Sequence, residues 1–176
     1  MGTERFIVSK GRTSTRVLCL GNELLADDAL GAVVAEQLRQ VLPGTVEVVF
    51  TSATGFDLLD EVLGTSRLLV VDTIETGTRP PGTVHLLREE DVQPVPGDSP
   101  HYVGLFETLK LGRKLQLDVP QEVIIVAVEP ADCLTVGGAL SPAVKAAIPL
   151  VVNLVRSLAS LPRLDRPALD AARSVA

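Results

Sequence analysis

Short apolar runs alternate along the chain with stretches whose apolar residues return every three or four positions, the pattern of strands exchanging with amphipathic helices. Residues 17–20 form one such run and end at Gly21-Asn22. Apolar residues then recur at helical spacing from 28 to 42, where Pro43-Gly44 stops them, and Val46–Thr51 reads as a strand again, completing a β-α-β unit. A second short helix is predicted over 56–63, closed by Gly64. The nearly continuous Leu/Val run at 67–71 then suits a strand covered on both faces. It ends at Asp72-Thr73, and a Gly- and Pro-rich loop leads to 83–87, an edge strand or hairpin partner. Beyond a polar, proline-punctuated loop that delivers His101, helical periodicity resumes from 102 to 111. Pro120 precedes Glu122–Val128, the most apolar strand of the chain. Ser141-Pro142 then caps a long amphipathic helix running to about residue 161, with Pro149 as either a kink or its true start.

Strands alternating with helices predict an α/β fold. The expected form is a three-layer α/β/α sandwich around a mostly parallel, twisted sheet of about five strands, joined by right-handed crossovers. The regular pattern defines a single domain over 16–161. A loose lead over 1–15, in which Phe6-Ile7-Val8 could pair weakly, precedes it, and a Pro-, Arg- and Ala-rich tail over 162–176, expected to be mobile, follows.

Composition narrows the function. A chain of 176 residues with 46% hydrophobic and 22% charged residues can bury one sizeable core. Its net charge of -6 argues against nucleic acid as the main partner, because phosphate binding needs clustered Lys and Arg. No apolar stretch approaches the ~20 residues needed to span a bilayer, and the polar N-terminus is not expected to act as a signal peptide. A cytoplasmic location is expected by default. Cys19 lies inside the first strand and Cys133 in a loop, with no CxxC or His-rich spacing, so both read as structural.

In such sheets ligands bind beyond the carboxyl ends of the strands. Three segments meet that test: Asp27-Asp28 after the first strand, Asp72 after the third, and His101 at the mouth of a later helix. Two carboxylates and an imidazole suit a divalent transition ion such as nickel or zinc. If the carboxylates stood about 4 Å apart near the surface, they would repel by roughly 4 kcal/mol unless a cation or proton sat between them. Each residue also has a plainer explanation. Asp27 or Asp28 could simply cap the helix, Asp72 could cap a turn before Glu75, and His101 could be a surface histidine beside Pro100. His85 sits in an alternating strand and is expected to face solvent, and Glu23 is a near miss in the first loop. A dinucleotide loop is excluded because Glu23 and Ala26 stand where GxGxxG needs glycines, and no Ser lies in a GxSxG elbow.

Several ordered motifs, LGNELLADDALG at 20–31, TSATGFDLL at 51–59, VVDTIETGTRPPGTVHLL at 70–87, SPHYVGL at 99–105, and the VEP and LSPAV pieces near 128 and 140, carry a resemblance. From residue 17 to about 158 the chain is similar to the nickel-iron hydrogenase maturation endopeptidases. The resemblance implies an enzyme that removes a C-terminal extension from the hydrogenase large-subunit precursor after nickel has been loaded into it. The nickel, presented by the substrate, would serve as the recognition element, and zinc or cadmium could substitute. The family's metal-contacting positions fall on Asp28, Asp72 and His101, which the resemblance makes both metal ligands and catalytic groups. Asp27 becomes a cap or supporting group. Ala29 replaces the Gly often found after the acid pair, and Gly55 resembles a flexible loop beside the cleft. A monomer is the favoured state. The rival expectations are a non-catalytic nickel-binding chaperone on the same fold and a small-molecule hydrolase or nucleosidase. The last would need an aromatic-lined pocket, which a chain with 3% aromatics and no Trp scarcely supplies.

Overall fold

A computed structural model of the chain describes residues 13–89 and 100–161, the side chains of 13 and 100–103 excepted. Its strands follow from the alternation. Along β1 (Thr13–Leu20), Val17 and Cys19 are buried on one face and Leu18 and Leu20 on the other. The same split runs through β3 (Thr65–Thr73) and β5 (Glu122–Val128), so all three central strands are covered on both sides, as their continuous apolar runs require. Helices α1 (Leu30–Val41) and α4 (Pro142–Ser160) supply one cover, through Leu30, Val34, Leu38, Val144, Val151 and Val155. The short α2 (Leu59–Val62) and α3 (Pro100–Lys114) supply the other, through Val62, Leu105 and Leu109.

The five strands lie in the order β2-β1-β3-β5-β4, with β2 at Val46–Thr51 and β4 at Val84–Arg88. All neighbours run parallel except β4, which pairs antiparallel with β5 at one edge. The mostly parallel three-layer arrangement is therefore the one expected. Because β1 pairs with β2 on one side and β3 on the other, chain progression reverses between β1 and β3. A crevice opens at such a switch point, beyond the carboxyl ends of the two strands.

The opposite end of the sheet is tied down by buried cations. The Arg16 guanidinium pairs with Glu47 at 2.8 Å and donates to the Leu63 carbonyl at 2.9 Å. Arg67 pairs with Glu122 at 3.0 Å and donates to the Leu158 and Leu161 carbonyls at 2.8 and 2.7 Å, adding a cation at the C-terminus of α4.

Several boundaries differ from expectation. β1 begins at Thr13, inside the anticipated lead, and β3 extends from Thr65 through Thr73. The first helix starts at Leu30 rather than at residue 28, because Ala26–Ala29 form a 3-10 turn. The second predicted helix is half 3-10, over Gly55–Leu58, before α2. Pro149 lies within α4 and does not begin it. That helix is 19 residues long and apolar enough to cross a membrane by length and composition alone; here its apolar stripe packs on the sheet. The expected tail, and the lead before Thr13, lie outside the described residues.

Candidate active site

The first loop is shaped by one close approach. Gly21 has φ +139°, and a Cβ on it would stand 2.1 Å from the Asp28 carbonyl oxygen, so only glycine lets β1 pass directly against the following turn. Asp28 is thereby held over the end of β1. Its Oδ2 accepts from the Asn22 N–H at 2.8 Å, and its Oδ1 accepts from the Thr73 hydroxyl at 3.1 Å. Its side chain caps no helix, since α1 begins at Leu30 without a side-chain cap.

Asp72, in the last turn of the β3 ladder, lies opposite Ala127 and is fully buried. Its Oδ1 accepts from the Thr73 N–H at 2.7 Å, whereas Oδ2 has no hydrogen-bond partner among the described residues. Burial pushes this carboxyl well above the usual carboxylate range, against the lowering effect of the Thr73 amide, and the nearby Asp28 charge pushes it further. Asp28 and Asp72 are thus brought together at the switch point, with Thr73 bonded to both. A buried carboxylate oxygen without a donor is a group that a cation or a proton would satisfy.

Asp27 has a different task. Its Oδ2 accepts from the Ala131 and Asp132 N–H groups at 2.7 and 3.1 Å, and its Oδ1 from the Ser141 N–H at 2.6 Å. The carboxylate therefore clamps both sides of the β5–α4 loop and caps neither its own 3-10 turn nor α1. The loop is fastened further by the Ala26 N–H to the Thr135 carbonyl at 3.0 Å and the Gly137 N–H to the Leu24 carbonyl at 2.7 Å.

His101 occupies the first turn of α3, and its side chain lies outside the described residues. Among the described residues no three His, Cys, Asp or Glu side chains converge as a ligand set. Glu23 is exposed and takes no part. His85 departs from its expected solvent orientation. It is half-buried, and its Nε2 meets Glu129 Oε2 at 3.1 Å. Glu129, at the end of β5, also accepts through Oε1 from the Thr76 N–H, the Thr76 hydroxyl and the Gly77 N–H at 2.9, 2.8 and 3.0 Å. The pair thus fastens the turn after β3. Gly55 is seated against α3: Thr108 Oγ1 donates to its carbonyl at 2.9 Å.

Burial pushes the Cys133 thiol up to about 12, with Asp28, Asp27 and Asp72 adding to the shift, and its Sγ lies 3.8 Å from Thr73 Oγ1. Burial likewise pushes the Cys19 thiol up to about 12, in keeping with a structural role. Sequence patterns gave Thr73 and Cys133 no site role, because a threonine ending a strand and a loop cysteine are both commonplace. The one available signal was the position of Thr73 beside the strand-end Asp72.

A parallel-sheet α/β protein whose acids meet at the topological switch point defines the general class. The comparisons with known proteins then specify it. The hydrogenase maturation protease family profile matches residues 32–158. Hydrogenase 2 maturation protease of Escherichia coli (strain K12) is 34% identical over 136 residues, which span 75% of this chain and 82% of that protein. Hydrogenase expression/formation protein HupD of Thiocapsa roseopersicina is 30% identical over 174 residues, spanning 88% and 78%. The solved structure of the hydrogenase-maturating endopeptidase HybD from E. coli superposes with a TM-score of 0.71 at 31% identity, covering 82% of this chain and 90% of that one. The chain belongs to the hydrogenase maturation protease family.

Proposed function

We propose that this protein is an endopeptidase that removes the C-terminal extension of a nickel-iron hydrogenase large-subunit precursor once nickel has been loaded. Asp28, Asp72 and His101 complete the coordination of the nickel that the substrate carries. The metal both reports that the substrate is mature and places the scissile bond against the crevice. The observation that carries this reading is the fully buried Asp72, whose Oδ2 has no partner among the described residues and whose charge is disfavoured by burial and by Asp28. A cation arriving with the substrate relieves both penalties at once.

The chain's own groups favour water as the attacking nucleophile. No Ser is set in an elbow. Cys133, the thiol near the acids, is held in its protonated form at neutral pH by a pKa of about 12, and the thiolate is the reactive species.

The test is processing of nickel-loaded precursor by Asp72→Ala and His101→Ala, read by intact mass for loss of the C-terminal peptide. Both variants are expected to fold and to lose at least about 100-fold in rate, as for other groups that act directly on the reacting centre. Normal cleavage by either variant would sink the ligand assignment. A wild-type protein that bound the precursor without cutting it would instead be a chaperone.

A further inference from the structure

Thr73 is the only residue bonded to both acids of the crevice among the described residues. Its N–H donates to Asp72 Oδ1 at 2.7 Å and its hydroxyl to Asp28 Oδ1 at 3.1 Å, while the side chain is nearly fully buried. A hydroxyl has a single proton to donate. Here the other side of the oxygen accepts from the Cys133 thiol at 3.8 Å. The hydroxyl proton is therefore directed at Asp28. With Asn22 holding the second oxygen of Asp28, that carboxylate is fixed at both ends, and Asp72 is fixed at one. The bare Asp72 Oδ2 is left as the unsatisfied point of the pair.

We infer that Thr73 is the positioning residue of this site: its hydroxyl and amide hold Asp28 and Asp72 in the mutual geometry that receives a divalent cation, with Cys133 orienting the hydroxyl. The inference rests on the metal-assisted reading above and extends it to a residue that touches no substrate. Partners that orient metal-binding groups ordinarily change affinity by about 10- to 100-fold when removed.

The distinguishing variants are Thr73→Val, which keeps the shape and the amide bond to Asp72 but removes the hydroxyl, and Thr73→Ser, which restores it. Cd2+ titrated calorimetrically into the full chain is expected to bind T73V about 10- to 100-fold more weakly than wild type. T73S should return to within about threefold of wild type. A purely structural role predicts no rescue by serine beyond the recovery of melting temperature. If T73V does not fold, Thr73→Ala, which also spares the amide bond, is read in the same way. T73V that binds Cd2+ and processes nickel-loaded precursor like wild type overturns the positioning role alone. A wild type that fails to process the precursor, with the T73V affinity loss still present, overturns the proposed function alone. Absence of any Cd2+ binding by the wild type overturns the positioning role, whereas the proposed function stands or falls with processing of the nickel-loaded precursor.

Discussion

Burying a carboxylate with one oxygen unbonded costs stability, and Asp72 shows where that cost falls in pH. Its folded-state pKa is raised above the unfolded value near 3.8, so its contribution to stability is fully present below that value and is lost as pH rises through the folded one. In metal-free protein, Asp72→Asn, which removes the titration, should therefore be more stable than wild type at pH 7 by about 1 kcal/mol, in the usual range for relaxing a functional site. The gap should shrink towards pH 4. Urea unfolding at the two pH values checks this, and an advantage for D72N that grows on acidification would contradict it. At this scale the two acids were legible in the sequence because each follows a recognisable strand. Asp27 was half legible: its neighbourhood suggested a cap, but its donors are amides more than 100 positions away, which no local pattern encodes. Thr73 was not legible, since its meaning depends on what β1 brings alongside it.

Elements were legible wherever periodicity was strong, and their ends wherever punctuation was plain. Ser141-Pro142 begins α4, with the Ser141 side chain accepting from the Val144 N–H at 3.4 Å. The acid pair misplaced the start of α1, because Asp at a helix mouth ordinarily signals a cap, whereas here one carboxylate faces Thr73 and the other the β5–α4 loop. Contact between α3 and the 3-10 turn after β2 was equally hidden. A Cβ at Gly104 would stand 2.4 Å from Gly55 N and 2.7 Å from Gly55 Cα, so α3 presses on the backbone of that turn. Gly104→Ala should cost about 1–3 kcal/mol of stability, the usual range for overpacking, and loosen the 52–55 segment. Amide hydrogen exchange together with the urea midpoint measures both; an unchanged midpoint would mean that the turn yields freely.

Over the whole molecule, the two ends of the sheet divide the work. Buried Arg16 and Arg67 bind helix carbonyls and carboxylates at the amino-terminal end, while the acids gather at the carboxyl end. Strand order was beyond the sequence, because parallel neighbours are chosen by crossovers and not by adjacency. The 83–87 segment, expected as an edge strand or hairpin partner, is an edge strand that pairs with β5, nearly forty residues further along. Leu134 and Val136 protrude from the tip of the β5–α4 loop, the most exposed large apolar side chains among the described residues. The amides on either bank of that loop converge on Asp27, so the banks are fastened to one carboxylate as well as to each other through the tip. A protease nick at the tip should therefore leave two complementing fragments that stay assembled and co-elute on gel filtration. Separation of the fragments without denaturant would show that continuity of the tip, and not the clamp, holds α4 in place.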